Sequence, residues 1–372
     1  MARFTHKVRL IQGLVRGDTA RTGPLYVSVA VTRRCNLHCV GCIFHSPHVE
    51  SPFLHQGILD FSVDVFRELC ADLRALGTDE MILTGEGEPL LHPRIFDLIR
   101  IARESGLRSM MFTNGTLLDH ERCRLLVESG LTLLKVSLWA GSPETFHQNY
   151  PGTDPAHFQT VVDGVVRLIE IRRGLGKKTP AVLVRHVVNH SNVGGLASFI
   201  DLAAGTGSDG IELSALRVFM QGSAEYALLP PELDQVRKLL PSTAKQLNAR
   251  GIRHNIPELL FRYKIGPAVW EKMPCYVGWY HSHVGVDGEV LPCCTCARPM
   301  GSLRESRFPA IWNNAAYRAF RKQTGTREGL AAANETCHCQ YCSYVGNNHR
   351  VHRILRWLSP FPAGVPRHPS PH

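Results

Sequence analysis

Between residues 25 and 218, six short runs rich in β-branched or other apolar residues alternate with stretches of helical periodicity. The runs are LYVSVAVT (25–32), EMILTG (80–85), RSMMFTN (108–114), LTLLKVSLW (131–139), AVLVRHVVN (181–189) and GIELSALRV (210–218). Helical patterns follow at 62–77, 93–106, 117–130, around 156–173 and at 196–204. The first of these sets Phe66, Leu69, Cys70 and Leu73 on one face, from a Ser62 N-cap to a stop at Gly77. Such alternation predicts an α/β fold with a curved parallel sheet and ligands at the carboxyl ends of its strands. A full eightfold barrel needs two further units, whereas 226–272 reads as helical, so a partial (β/α)6 barrel is expected.

Beyond Cys275 turns and cysteines dominate as far as Cys342, in a segment short of the apolar periodicity that builds a core; bound metal is expected to supply its stability. The expected organisation is an N-terminal extension (1–24), the barrel (25–225), a helical linker (226–272), a small cysteine-rich domain (273–350) and a disordered Pro- and His-rich tail (351–372). The N-terminus, MARFTHKVRLIQGLVRGD, lacks an apolar core and cleavage site, and no apolar run is long enough to span a bilayer. A cytoplasmic protein is expected, and there twelve cysteines point to metal rather than disulfides. The net charge of +10 favours anionic partners, but the arginines are scattered and lack the basic–aromatic interleaving of a nucleic-acid groove. His349, His352, His368 and His372 are too irregularly spaced to suggest a metal site.

RRCNLHCVGCIFH, directly after the first strand, holds Cys35, Cys39 and Cys42 in a CxxxCxxC spacing. A disulfide uses two of the three; a zinc site needs a fourth ligand, for which His38 and His45 are at hand. Three thiolates suit a 4Fe–4S cube whose fourth iron stays open to another molecule. With this loop and the motifs that follow it in order, the sequence over about residues 25–220 resembles the radical S-adenosylmethionine superfamily. In that family the open iron binds the amino and carboxylate groups of S-adenosylmethionine, and reductive cleavage gives a 5′-deoxyadenosyl radical. The resemblance also implies an electron donor such as flavodoxin or ferredoxin.

LTGEGEPLLHP (83–93) looks like the family's methionine-binding motif, implying cofactor contact at Gly85, Gly87, Glu88 and Pro89, where glycines let backbone carbonyls approach the ammonium group. Asn114 in FTNGTLL and Ser137 in KVSLWAG fall at the ends of the third and fourth strands, where the family approaches the cofactor. Arg185 on the fifth strand is a candidate carboxylate or ribose partner, with Arg217 on the sixth as alternative. One position departs: many members have an aromatic residue before the third cysteine, near the adenine, and here it is Gly41, leaving Phe44 as a possible substitute. Cys70 and Cys123 lie on apolar helix faces and read as core residues.

Seven further cysteines lie between 275 and 342. Cys275, the Gly288-x4-Cys293 spacing and CQYC (339–342) resemble the auxiliary-cluster extension called twitch or SPASM, closest to the one-cluster twitch form. The resemblance implies one auxiliary 4Fe–4S cluster on Cys275, Cys293, Cys339 and Cys342. Cys294, Cys296 and Cys337 are surplus: alternative ligands, Cys337 for Cys339 above all, or active-site thiols. A structural zinc knuckle is the competing reading of the set.

Three functions are weighed. The first is radical dehydrogenation of a small molecule, such as an aminocyclitol or sugar alcohol, with the auxiliary cluster accepting an electron. The second is a peptide-modifying maturase of cross-linking, epimerising or sulfatase-maturation type; only about two dozen residues precede the first strand, too few for a peptide-recognition domain. The third is a non-catalytic metal-binding protein, which has no use for a methionine site. The sequence does not identify a catalytic base; Arg185, His186 and Tyr276 are candidates only.

Overall fold

The computed structural model describes residues 2–48, 57–218 and 221–358. Its frame is one ten-stranded sheet. The six expected strands are β1 (Tyr26–Ala30), β2 (Glu80–Thr84), β3 (Arg108–Thr113), β4 (Leu133–Ser137), β5 (Ala181–Val188) and β6 (Gly210–Ala215). They pair in sequence order, every pair parallel, as in a (β/α)6 partial barrel. Four short strands extend the sheet: β7 (Arg253–His254) beside β6, and β8 (His281–Val284), β9 (Glu289–Leu291) and β10 (Gly301–Ser302) beyond β1. β8 runs parallel to β1, with Tyr26 opposite His281 and Ser28 opposite His283.

Side-chain alternation explains both faces of this sheet. Val27, Val29, Met81, Leu83, Leu134, Val136, Val182 and Val184 are at most 1% exposed and pack beneath the helices, each contributing on the order of 1.5–3 kcal/mol by its burial. Ser28, Lys135, Ser137, Arg185, Glu212 and Ser214 occupy the alternate positions and give the concave face its polar character. The helices begin where local chemistry allows: Ser62 and Asp119 accept N-cap bonds from Val65 N and Arg122 N, and Gly130 closes the helix His120–Ser129 in a left-handed conformation. Cys70 and Cys123 are fully buried, as their helical faces implied.

Two features differ from the sequence reading. The cysteine-rich segment has its own apolar core, built by Phe308, Ile311, Trp312, Tyr317, Phe320 and Leu330. Arg321 is sealed within it, over the Trp312 and Tyr317 rings at 4.5 and 5.0 Å, and donates to the carbonyls of Gly278 and Trp312. The aromatics were legible as residues, but their convergence is tertiary. Second, a helix runs Val345–Leu358, past the point where the disordered tail was expected to start; residues 359–372 lie outside the described set. Among the described residues no helix is long and apolar enough to cross a membrane.

Candidate active site and auxiliary cysteine centre

The cysteine loop leaves the carboxyl end of β1, and the GEGEP turn leaves β2 beside it. The two are pressed together: a Cβ on Gly87 would lie 2.1 Å from Arg34 O, and Glu88 N donates to that same carbonyl at 2.7 Å. Only glycine allows this approach. Glu88 turns inward, where Oε1 accepts from Leu90 N and Thr113 Oγ1, and Oε2 from Asn114 N at 2.6 Å. Burial raises its pKa against these three donors. Its carboxylate thus braces the ends of β2 and β3, and the motif's backbone is what remains to meet a ligand. Pro89 starts a buried 3-10 turn. Asn114 donates to Asn36 Oδ1 in the cysteine loop (2.9 Å) and accepts from Thr116, fixing the third strand's end to that loop.

Cys35, Cys39 and Cys42 are half-buried and within electrostatic reach of one another. Burial pushes all three thiols upward, Cys35 to about 11, with Glu88 adding to the effect at Cys35. A thiolate is stable there only beside compensating positive charge, which cluster iron provides. Cys42 Sγ already accepts from Phe44 N and His45 N at 3.4 and 3.3 Å, the backbone bonding that suits an anionic sulfur. His38 is committed to the His45 carbonyl (3.1 Å), and among the described residues no three His, Cys, Asp or Glu side chains converge as ligands of a single metal ion do.

Ser137 and Arg185 lie opposite each other on β4 and β5. The Arg185 guanidinium bonds Ser214 Oγ at 3.0 Å, pairs with Glu212 at 3.3 Å and lies 5.0 Å over the Phe112 ring. Lys135 pairs with the other Glu212 oxygen. Burial depresses the pKa of Arg185, partly offset by Glu212. Arg217 Nη1 approaches Cys294 Sγ at 3.5 Å, and Cys42 and Arg185 both feel its charge. A side chain at Gly41 would require Leu216 to shift: a Cβ would lie 2.4 Å from Leu216 Cδ1 and 3.4 Å from the Trp139 ring. The aromatic surface near the loop therefore comes from Trp139 at the end of β4, a residue the sequence reading passed over, beside the half-buried Phe44.

Cys275, Cys293, Cys339 and Cys342 are brought together from three separate stretches of chain, and each is held neutral by burial reinforced by its neighbours' charges. Cys275 is pushed up to about 12 and Cys342 to about 11. His338, in the left-handed conformation (φ 46°), ends the helix Arg327–Cys337 and turns Cys339 back toward the others. Cys342 Sγ accepts from Tyr344 N at 3.3 Å and Cys275 Sγ from Asn348 Nδ2 at 3.7 Å. Four thiols, two of them accepting N–H bonds, fit a fully ligated iron–sulfur cube. Of the three surplus cysteines, Cys296 and Cys337 are paired as a disulfide in this structure. Cys294 stays free, half-buried, toward the barrel.

Residues 29–191 match the radical SAM superfamily, and residues 275–343 match an iron–sulfur cluster-binding domain of the SPASM type. The chain belongs to the radical SAM superfamily. It is a radical SAM enzyme whose cofactors are S-adenosylmethionine and 4Fe–4S clusters. It is 26% identical to the PqqA peptide cyclase of Streptomyces rochei over 394 residues, 95% of this chain and 99% of that protein. It is 27% identical to an AdoMet-dependent heme synthase of Methanosarcina barkeri, over 80% of this chain and 84% of that one. Among solved structures, the fold is similar to Streptococcus suis SuiB bound to S-adenosylmethionine (TM-score 0.65, 13% identity, 86% of this chain and 72% of that one). It is similar also to anSMEcpe with bound AdoMet (TM-score 0.62, 16% identity, 90% and 98%).

Two groups on the concave face escaped the sequence reading. Arg33, 4% exposed, bonds Glu86 at 2.6 Å and Asp287 at 3.1 Å, tying the cysteine loop and the GEGEP turn to the β8–β9 turn. Ser28 Oγ meets His283 Nδ1 at 2.8 Å and His281 Nε2 at 3.5 Å, and Tyr344 OH meets His281 Nε2 at 2.7 Å. The signal was present in HSHVGVDGEV: alternation on either side of an Asp-Gly turn. By contrast, two base candidates lie elsewhere. His186 faces the helix layer, bonded to Leu138 O and packed on Phe199, and Tyr276 OH is engaged by His352.

Proposed function

We propose that the protein modifies a peptide by radical chemistry. The observation that carries this reading is end-to-end similarity to a PqqA peptide cyclase, across 95% of this chain and 99% of that one. It favours a peptide substrate over the small alcohol preferred from sequence alone. Cys35, Cys39 and Cys42 are assigned to the open cluster, and Gly85, Gly87, Glu88, Pro89, Asn114, Ser137 and Arg185 to S-adenosylmethionine. Cys275, Cys293, Cys339 and Cys342 are assigned to the auxiliary cluster, in a cysteine-rich domain expected over 273–350. Bound there, the cofactor and its cluster supply a carbon-centred radical that removes a hydrogen atom from the substrate.

The residues themselves orient and enclose. The GEGEP backbone and the Glu88 brace hold the ends of β2 and β3 at fixed height. Arg185, kept charged beside Glu212, presents a guanidinium to a carboxylate. Phe112 and Trp139 exclude water from the same space, and Arg33 keeps the auxiliary region docked against it.

The test is anaerobic incubation of the reconstituted protein with S-adenosylmethionine, a reductant and the PqqA peptide, followed by mass spectrometry. Loss of two hydrogens from the peptide, with 5′-deoxyadenosine formed, supports the reading. Deoxyadenosine formed over an unaltered peptide returns the small-molecule alternative to first place.

A further inference from the structure

We propose that His283, held by Ser28, is the catalytic base that takes the proton from the substrate radical while its electron passes to the auxiliary cluster. The inference rests on the radical reading above and names a residue for it.

The geometry begins with the parallel pairing of β8 to β1. This places His283 opposite Ser28 and His281 opposite Tyr26, on the concave face that carries Arg185, Ser137 and Glu212 farther round the sheet. Arg217 lies close enough for its charge to act on His283, Cys42 and Arg185 alike. Through Arg217, whose Nη1 lies 3.5 Å from Cys294 Sγ, His283 is linked to both the cysteine loop and the cysteine-rich segment, and the proposed position of the substrate is between them.

Hydrogen bonding sets which nitrogen is available. His281 Nδ1 faces the Tyr26 carbonyl at 3.3 Å and must donate to it, so His281 Nε2 carries the lone pair, which accepts from Tyr344 OH at 2.7 Å, with Ser28 Oγ 3.5 Å away. The proton of the 2.8 Å contact between Ser28 Oγ and His283 Nδ1 is assigned here to the imidazole, the tautomer that leaves the lone pair of His283 on Nε2. Among the described residues nothing bonds that nitrogen, and His283 keeps 8% of its surface open, whereas Nε2 of His186 is sealed. The charged and titratable groups acting on the ring are Arg217, Asp287 and His281. Burial and Arg217 lower the His283 pKa to about 4, so the ring is neutral at physiological pH.

The step balances. After loss of a hydrogen atom the substrate is a carbon radical; it gives one electron to the auxiliary 4Fe–4S cluster and one proton to His283 Nε2. A new double bond, or a ring restored to aromaticity after cross-linking, is formed. The imidazolium returns its proton to solvent, and the electron passes on from the cluster held by Cys275, Cys293, Cys339 and Cys342 to an oxidised flavodoxin or ferredoxin.

Two measurements on the reconstituted holoenzyme test this. The first needs no substrate: carbethoxylation by diethylpyrocarbonate at pH 6, mapped by peptide mass spectrometry, should label His283 and leave His186 unlabelled. An unlabelled His283 beside labelled surface histidines would place its ring out of a substrate's reach and overturn the proposal. The second compares wild type with His283→Gln acting on the PqqA peptide. The ratio of deoxyadenosine to modified peptide should rise at least about tenfold, the low end of what a general base supplies. Freeze-quenched samples should also show an organic radical that accumulates only in the variant. An unchanged ratio with no radical overturns the assignment. A wild type that makes deoxyadenosine but leaves the peptide intact defeats the peptide reading alone, and labelling of His283 then decides the base.

Discussion

The two cysteine centres are built in opposite ways. Cys35, Cys39 and Cys42 lie within eight residues of one loop, and their spacing alone brings them together. Cys275, Cys293, Cys339 and Cys342 span 68 residues and meet only because β8, β9 and the helix Arg327–Cys337 fold into place. The first set offers three thiols from one loop; the second offers four from three stretches of chain. A loop of close ligands is nearly independent of the rest of the fold, whereas a dispersed quartet is a cross-link whose occupancy is part of folding stability.

The largest expected effect breaks the first centre alone. Replacing Cys35, Cys39 and Cys42 together by Ala should remove about four irons per chain and cut deoxyadenosine formation by at least about a thousandfold. Iron analysis and chromatography read both, and loss of all iron would show that the centres are not independent.

Arg33 joins the two regions, so removing it sharpens the contrast. Arg33→Met leaves Glu86 buried without its partner and should cost about 3 kcal/mol in urea denaturation. Equal stability to wild type would mean that the β8–β9 turn docks without this ion pair. Installing the missing aromatic is gentler. Gly41→Phe drives a side chain into Leu216 and should weaken S-adenosylmethionine binding by about tenfold in equilibrium dialysis, with partial recovery in Gly41→Phe/Leu216→Ala.

The smallest effect concerns pH. Burial lowers His186 to about 4, His281 to about 3 and His283 to about 4, from 6.5. These rings are neutral in the fold and gain protons more readily when unfolded. The stability this represents is fully present above pH 6.5 and is lost as pH falls from there toward 4. Each contributes a slope of at most about 1.4 kcal/mol per pH unit. The urea midpoint should fall between pH 6.5 and 5, and His283→Gln should make that fall shallower.

Legibility followed the same local-versus-dispersed divide. The six parallel strands, their helices, the Ser62 cap and the Cys70 and Cys123 faces were readable because each depends on periodicity within a dozen residues. β8 was not, because a four-residue strand becomes one only by pairing with β1, more than 250 positions earlier. The Arg33–Glu86–Asp287 link and the Ser28–His283 pair have the same cause. Glu88 shows a subtler limit: the motif marked the right place, while the hydrogen bonds show its carboxylate spent on the strand ends. Cys296 and Cys337, surplus by spacing, are bonded to each other across 41 positions, which no spacing rule anticipates.

The most direct test of two separate centres is Mössbauer spectroscopy of iron-57-reconstituted protein, with and without S-adenosylmethionine, in wild type and in the Cys35/Cys39/Cys42→Ala variant. The account predicts about eight irons in wild type, with one iron of one cluster shifting on cofactor addition, and about four irons in the variant with none shifting. A variant whose remaining cluster still responds to S-adenosylmethionine, or a wild type with only one cluster, would contradict it.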